Sequence, residues 1–267
     1  MSTVAAARAN FPRCLEQPPG SYRFGADALL LAAFAGVCLP PSPRHWQVAE
    51  LGSGCGAALL ALGLHCQDLT GYGLEREPEL HAAAGRNAAR LGLAERLHFH
   101  CIDLAAINSL PLPENSWDLV LANPPYRSAG QGRPSPKPLR ERALGSSPDE
   151  ADALPMFCAA AARLLRHHGR FCCIFAAEAL PRLCAALEAA GFGVRRILPL
   201  SPYTHAPATR ILTESRKNAA SELRLESPLA LHPRRNSRTS AGRPLWTRRA
   251  LRFCPWLDTS AQSGAST

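Results

Sequence analysis

Glu50-Leu51-Gly52-Ser53-Gly54-Cys55-Gly56 joins a predicted strand, Trp46 to Leu51, to a predicted helix, Ala57 to His65. Glycines in such a turn let the backbone approach a ligand closely, outside the carboxyl end of the strand. The spacing is G-x-G-x-G and not the G-x-G-x-x-G of dinucleotide-binding turns, which disfavours hydride transfer. Taken alone, the stretch also fits a tight turn that serves only the fold.

Strands and helices alternate through most of the chain. Further strands are predicted at Leu69 to Leu74, Leu97 to Ile102, Trp117 to Ala122, Phe171 to Ala176 and Val194 to Pro199, and further helices at Ala28 to Val37, Glu77 to Leu91, Asp149 to His167 and Leu180 to Ala190. This alternation predicts an α/β fold with a doubly wound, mostly parallel sheet. Ala208 to Arg216 predicts a late antiparallel strand at or near the edge, and Gly191 a helix C-cap.

Composition divides the chain into three predicted parts: an N-terminal segment (1–20), a main domain of alternating strands and helices (21–226) and a basic, flexible C-terminal tail (227–267). A second irregular segment, the basic insertion 127–148, interrupts the domain with glycine and proline. With 46% hydrophobic residues the chain can bury a core, which excludes a disordered or fibrous protein.

The net charge of +9 is concentrated in two places. Residues 216–252 carry a net +8, and five basic residues lie between positions 127 and 142 against one glutamate. Because all but two of the thirty basic residues are arginine, which binds phosphate in a planar, bidentate way, a nucleic acid is the expected partner. The predicted contacts are Arg127, Arg133, Lys137, Arg140, Arg142, Arg216 and Lys217. A solvated basic tail is the alternative.

Ten cysteines contain no C-x-x-C pair and mostly lie in apolar runs, so they are expected to be small buried hydrophobes. His98 and His100 lack a third ligand at a recognised spacing, and no metal site is predicted. No apolar run is long enough to span a bilayer, and no secretory signal is recognised. We expect a cytoplasmic protein; the oligomeric state is left open.

Acidic residues follow the next two strands. Glu75 ends the second strand, where a carboxylate can accept both hydroxyls of a ribose, and this indicates a nucleoside-containing cofactor. Asp103 follows the third strand and is positioned to accept the exocyclic amine of the cofactor's adenine, or else to cap a helix. Together with the glycine turn, these carboxylates predict one cleft.

The fourth strand runs into Asn123-Pro124-Pro125-Tyr126, the strongest chemical signal in the chain. An amine conjugated to a purine or an amide is a poor nucleophile, so an enzyme that methylates it must position and polarise it. The Asn123 side-chain carbonyl and the Pro124 backbone carbonyl can accept its two N–H groups, and the prolines stiffen the turn. Tyr126 offers a ring on which a planar group stacks.

With Glu50 to Gly56, the Asn-Pro-Pro-Tyr quartet resembles the Rossmann-like, class I methyltransferases that use S-adenosylmethionine to methylate an exocyclic or amide nitrogen. Residues 22–32, beginning Tyr-Arg-Phe-Gly-Ala-Asp, and 208–217 look like parts of the bacterial tRNA adenine-N6 methyltransferases, a resemblance that covers about 15–232. Threonine is usual in that family where Ala26 stands.

The resemblance implies a class I fold and S-adenosylmethionine as cofactor. The implied cofactor-binding residues are Phe24, Gly25, Asp27, Glu50, Gly52, Gly54, Gly56, Glu75, Asp103 and Asn123, and the implied catalytic residues are Asn123, Pro124, Pro125 and Tyr126. The expected substrate is an adenine in RNA, most simply tRNA, flipped from its stack. One alternative is an enzyme that methylates glutamine N5 of a release factor; enzymes of that kind have a longer helical domain before the glycine motif. The other is a non-catalytic RNA-binding protein of this fold.

Overall fold

A computed structural model describes residues 3–21, 23–39, 45–109, 112–125, 153–240 and 242–258. Its centre is a nine-stranded sheet. The strands are β1 (Trp46–Leu51), β2 (Leu69–Glu75), β3 (Leu97–Cys101), β4 (Trp117–Ala122), β5 (Leu165–Ala176), β6 (Phe192–Tyr203), β7 (Arg210–Lys217), β8 (Arg224–Leu225) and β9 (Leu229–His232).

The strand order is β3-β2-β1-β4-β5-β7-β6-β8, and β9 also pairs with β6. Strands β1 to β5 are parallel, whereas β7 runs antiparallel to both β5 and β6. The predicted doubly wound, mostly parallel sheet with a late antiparallel strand is therefore confirmed. The strand β7 does not form the edge itself but lies between β5 and β6.

Helices cover both faces of the sheet. They are α1 (Thr3–Ala9), α2 (Ala26–Gly36), α3 (Ala57–His65), α4 (Pro78–Arg90), α5 (Ala153–Leu164), α6 (Leu180–Ala189) and α7 (Arg248–Phe253). Buried side chains of α2, α3, α4 and α7 form one core with the sheet, and those of α5 and α6 form a second core on the opposite face. Parallel strands covered on both faces are buried along their length, and all six residues of β4 are buried, five of them apolar and the sixth Asp118.

The helix boundaries follow local chemistry. Gly56, at φ +86°, precedes α3 in a conformation that only glycine adopts easily. Pro78 opens α4, where its fixed φ suits the first turn and its missing N–H is not needed. Gly191, at φ +79°, follows α6, so the predicted C-cap is confirmed.

The N-terminal and C-terminal segments both pack against the first core. Arg8 of α1 donates to the Leu91 carbonyl beyond α4. The rings of Phe11 and Trp256 meet edge to face at 6.0 Å. Residues far apart in sequence therefore close the same side of the molecule.

Two sequence expectations are wrong here. The helix predicted to reach His167 ends at Leu164, because Leu165 already pairs with Trp117 of β4; residues 149–152 lie outside the described residues. In the predicted flexible tail, the described residues 227–240 and 242–258 are ordered: β9 pairs with β6, and Ala250, Cys254 and Leu257 are buried against the core. The insertion 127–148 and residues 259–267 lie outside the described residues.

Candidate active site

Adjacent strand ends bring the predicted site residues to one edge of the sheet. Leu51 at the end of β1 is in register with Leu74 on β2 and with Ala122 on β4. Gly52, Glu75 and Asn123 therefore follow matched positions on three hydrogen-bonded strands. We call this the carboxyl edge of the sheet, where open α/β sheets bind ligands.

The glycine turn adopts a backbone that side chains would strain. Gly52, Gly54 and Gly56 have φ values of +66°, +56° and +86°. The backbone N–H groups of Gly52 and Ser53 donate to the Leu74 carbonyl at 2.8 and 3.0 Å, which fixes the turn to β2. No heavy atom lies within 4 Å of a Cβ built on Gly54, so the turn is open to a ligand at that point.

Glu75 lies directly beside this turn. One carboxylate oxygen accepts the Gly54 N–H at 2.7 Å, and the other accepts the Glu77 N–H at 2.9 Å. The residue is buried, and this burial raises the pKa of its carboxyl group. Glu75 thus joins the glycine turn to the end of β2, and its contact with a ribose stays a prediction.

Glu50 lies beneath the turn. It is 3% exposed, and its carboxylate accepts the Leu59 N–H of α3 at 2.9 Å. Desolvation by burial raises the pKa of Glu50 to about 8. Its position supports the first turn of α3, so Glu50 acts on the cleft through the backbone.

Asp103 follows β3, where the sequence predicts it. Its Oδ1 accepts the Ala105 N–H at 2.9 Å and so caps the 3₁₀ turn Leu104–Ser109. The residue is exposed at the carboxyl edge. The capping contact that the sequence left open is present, and a contact to an adenine amine stays a prediction.

Asn123, Pro124 and Pro125 leave β4 in an extended stretch without regular secondary structure. Asn123 is half-buried and Pro124 is buried, while Tyr126 lies outside the described residues. Neither proline has an N–H to donate, so this segment presents carbonyl oxygens at the edge.

The N-terminal motif reaches the same edge. Phe24 packs against the first core, and Gly25 precedes α2. Asp27 in the first turn of α2 pairs with Arg210 at 3.3 Å. Because β7 is antiparallel to its neighbours, its first residue, Arg210, lies at the carboxyl edge, and this ion pair fixes α2 there.

Sequence reasoning missed Asn87, a fully buried residue of α4. Its side-chain amide donates to the carbonyls of Cys55 and Glu16 at 3.1 Å each, and its carbonyl accepts the Glu16 N–H at 2.7 Å. Asn87 thus ties the glycine turn to the N-terminal segment. An asparagine on the apolar face of α4, among Ala83, Ala84 and Ala88, was the available signal.

The predicted nucleic-acid contacts divide into two groups. Arg127, Arg133, Lys137, Arg140 and Arg142 lie outside the described residues. The Lys217 ammonium donates to Asn115 Oδ1 and to the carbonyls of Ala162 and Leu165. An ammonium has three protons, so these contacts occupy Lys217, and it joins β7 to the end of α5. Arg216 of β7 is half-buried, with its Nε enclosed.

All ten cysteines are free thiols, and six of them are buried. The part of the chain that the structure describes contains no group of three or more metal-ligating side chains. None of the described helices is long and apolar enough to cross a membrane.

Solved structures share this architecture. A predicted O-methyltransferase from Agrobacterium tumefaciens superposes with a TM-score of 0.66 at 20% identity, covering 86% of this chain and 96% of the other. The methyltransferase subunit of a type I restriction-modification system from Streptococcus thermophilus superposes with a TM-score of 0.61 at 14% identity, covering 90% and 53%. The chain has the class I methyltransferase fold. This Rossmann-like fold is the one that the sequence motifs indicated.

No family model matches this methyltransferase-fold chain. Its sequence relatives include methyltransferases named for two different acceptors, a tRNA adenine and a release factor glutamine. A tRNA1(Val) (adenine(37)-N6)-methyltransferase of Enterobacter sp. is 31% identical over 153 residues, 57% of this chain and 58% of the relative. One from Porphyromonas gingivalis is 26% identical over 226 residues, 82% and 85%. A release factor glutamine methyltransferase of Gloeobacter violaceus is 32% identical over 127 residues, 46% and 43%.

Proposed function

We propose that the protein is an S-adenosylmethionine-dependent N-methyltransferase that methylates the exocyclic N6 of an adenine in tRNA. The observation that carries the proposal is the placement of Gly52, Glu75 and Asn123 at matched ends of three neighbouring strands. The N6-adenine relatives support the choice of acceptor, and one of them aligns over most of both chains.

The described residues fit S-adenosylmethionine. The open space at Gly54 accommodates a close ligand, and the Glu75 carboxylate beside it is a hydrogen-bond acceptor suited to ribose hydroxyls. Ser53 Oγ, buried at the same turn, has no hydrogen-bond partner in the structure. Bound there, the cofactor would supply an electrophilic methyl group. The protein itself holds the glycine turn in place, through the contact of Glu50 with the Leu59 N–H and the contact of Asn87 with the Cys55 carbonyl.

Asn123 and Pro124 would hold the acceptor amine. A side-chain carbonyl and a backbone carbonyl can accept the two N–H groups, which orients the nitrogen lone pair and increases its electron density. The nitrogen attacks with its own lone pair, so no general base is required to begin. As the new N–C bond forms, the methyl–sulfur bond would break to leave a thioether, and the nitrogen would then release one proton to solvent. Water exclusion and positioning are therefore the main tasks of this segment.

Transfer of a labelled methyl group tests the proposal. Wild-type protein with labelled S-adenosylmethionine is expected to form N6-methyladenosine in total tRNA from a bacterium deficient in that methylation. Asn123→Ala should lower the rate about 100-fold or more, by analogy with the loss of one polarising hydrogen bond. Asn218→Ala, an exposed asparagine after β7, is the matched control and should retain the rate. Equal rates in both variants would contradict the role of Asn123.

Cofactor binding has its own readout. Glu75→Gln keeps the size of the side chain and removes its charge, and it should weaken S-adenosylmethionine binding measured by calorimetry. A variant that binds the cofactor as tightly as wild type would contradict the ribose contact. Wild-type protein that binds none would favour the non-catalytic alternative.

Glutamine-N5 methylation is the second candidate, because release factor glutamine methyltransferases are among the relatives. It predicts label that withstands ribonuclease and disappears with protease. The arginine content of the C-terminal segment favours RNA over a protein amide.

A further inference from the structure

The segment after β9 brings a group of arginines to the carboxyl edge. The strand β9 is parallel to β6, with Leu200 opposite Leu229 and Tyr203 opposite His232. Since β6 and β5 are both antiparallel to β7, β6 and β9 run in the direction of β1 to β5. His232 therefore ends its strand at the same edge as Asn123.

The turn that follows is strongly basic. We call residues 233–238, with the sequence Pro-Arg-Arg-Asn-Ser-Arg, the arginine loop. Arg234, Arg235 and Arg238 are all exposed. Between 229 and 258 the sequence has seven arginines and a single acidic residue, Asp258, so this segment itself supplies little negative charge to offset the loop.

Contacts within the loop and with the residues that flank it restrain its backbone. Arg234 N–H donates to Ser237 Oγ at 3.0 Å, and Leu245 N–H donates to the Ser237 carbonyl at 3.0 Å. The His232 and Trp246 rings lie 4.4 Å apart, tilted by 30°. A loop whose backbone is restrained in this way loses less entropy on binding than a flexible arm, so its arginines are partly preorganised.

The base of the loop is anchored to the core. Thr247 Oγ1 donates to the Ala230 carbonyl at 2.7 Å, and Thr247 also caps α7 by accepting the Ala250 N–H. Ala250 and Cys254 are fully buried, and Leu257 is 4% exposed. The loop therefore keeps a fixed position relative to the sheet.

The distance between the arginine loop and Asn123 follows from the strand order. Four strand spacings separate β4 from β9, through β5, β7 and β6, which is about 19 Å. Between them, beside Thr204, lies a cavity of about 540 Å³, lined in part by Ser201, His205, Pro228 and Ala230. The Thr204 N–H donates to the His232 carbonyl, so the cavity adjoins the loop.

We propose that the arginine loop binds the phosphate backbone of the RNA substrate, so that the RNA lies along the carboxyl edge from Asn123 to Arg234. Guanidinium groups bind phosphate oxygens in a bidentate way, and three of them on one rigid turn fit a polyanion. This inference rests on the proposed function for the RNA class and adds the surface that binds it.

The test compares two double variants of the full-length chain. Arg234→Gln with Arg235→Gln removes two charges from the loop. The control, Arg195→Gln with Arg224→Gln, removes two charges far from the loop. Arg224 lies opposite Arg196 of β6, and Arg196 is seven residues, or about 23 Å, from Tyr203 at the loop end of that strand. Melting temperatures check that both fold, as is expected for substitutions at partly or fully exposed positions.

Binding of total bacterial tRNA is measured by fluorescence anisotropy at several salt concentrations. Two lost phosphate contacts lower the slope of log K against log salt by roughly 1.4 to 1.8, which weakens binding at 0.1 M salt roughly 25- to 60-fold. The control should change by far less. Equal weakening in both variants, or none in the loop variant, would overturn the proposal, as would tighter wild-type binding to polyglutamate than to tRNA.

Methyl transfer separates this inference from the proposed function. If wild type binds tRNA through the loop but transfers no methyl group, the loop proposal stands and the function fails. If wild type methylates tRNA and the loop variant does so with an unchanged KM, the function stands and the loop proposal fails.

Discussion

Replacing Glu50 by glutamine should change how stability depends on pH. Burial raises the pKa of Glu50 to about 8, against an ordinary value of 4.5 in the unfolded chain, and the nearby charge of Glu75 acts in the same direction. The folded protein therefore keeps this proton over a pH range in which the unfolded chain has released it. The stability that this group contributes is complete below pH 4.5 and is lost as pH rises through 8.

The size of the effect follows from the two pKa values. A difference of roughly 3.5 pKa units corresponds to about 5 kcal/mol over the whole titration. Between pH 6 and pH 9 the linkage relation assigns about 3 kcal/mol of lost stability to Glu50. Nearby Cys55, whose pKa is raised to about 12, stays protonated in the folded protein over this window, and its ionisation in the unfolded chain is the same in wild type and in Glu50→Gln.

Urea unfolding at pH 6 and pH 9 measures this loss. Glu50→Gln resembles the protonated carboxyl group, and its amide oxygen can still accept the Leu59 N–H. Wild type should lose about 3 kcal/mol more than Glu50→Gln between the two pH values. Glu222→Gln, an exposed glutamate on the surface, is the control and should follow wild type.

Parallel curves for wild type and Glu50→Gln would refute this reasoning. They would mean that Glu50 is ionised in the folded protein at pH 6, so that the cleft is wetter or more positive than its burial implies. The pKa of Glu75 is also raised, so both proteins lose stability through Glu75, and the comparison isolates Glu50 together with its interaction with Glu75.

Three further predictions, two of them with a control substitution, concern packing and are measured by chemical denaturation. Gly73→Ala should destabilise by about 1 to 3 kcal/mol, because its Cβ would lie 2.4 Å from an aromatic carbon, whereas Gly85→Ala on α4, where space is open, should stabilise slightly. Asn87→Ala should cost about 2 to 4 kcal/mol and weaken S-adenosylmethionine binding, since it leaves the carbonyl beneath the glycine turn unpaired; unchanged binding would contradict its positioning role. Leu257→Ala should cost about 2 to 5 kcal/mol, and the exposed Leu225→Ala about 0.5 or less; equal effects would contradict docking of the C-terminal segment.

The central strands were predictable because their burial is continuous. Trp46 to Leu51 and Trp117 to Ala122 have the predicted limits, and Gly56 and Gly191 mark helix boundaries through a backbone conformation specific to glycine. Residues 165–167 were assigned to the preceding helix, but pairing of Leu165 with Trp117 places them in β5. Tertiary pairing here overrides local preference.

The C-terminal segment was misjudged for a different reason. Its arginine, proline and serine content is typical of disordered arms. The helical spacing of Ala250, Cys254 and Leu257 is too short a signal to outweigh that composition, and Pro255 interrupts it. Leu229, Ala250, Cys254 and Leu257 are buried only because α2 and β6 provide a surface for them. Lys217 was predicted to contact RNA because of its charge, and that contact stays a prediction. The sequence gives no sign of the three oxygen atoms that surround its ammonium group in the structure.

At the candidate site, the sequence predicted which residues share an edge because parallel strands align their carboxyl ends. The sequence could not predict how deeply each of these side chains is buried relative to the glycine turn. Glu50 and Glu75 are both acids beside glycines, yet one lies beneath the turn and the other beside it.

The burial of α2 has a consequence for the protein during synthesis. Eight of its eleven residues are buried, and its partners include β5, β7 and α7, which the ribosome makes more than 100 residues later. Until those elements emerge, the nascent chain exposes a helix that is apolar on nearly every side. Polypeptides that stop before residue 210 should therefore be captured by chaperones or aggregate, and a premature stop codon late in the coding region would remove the protein as completely as an early one.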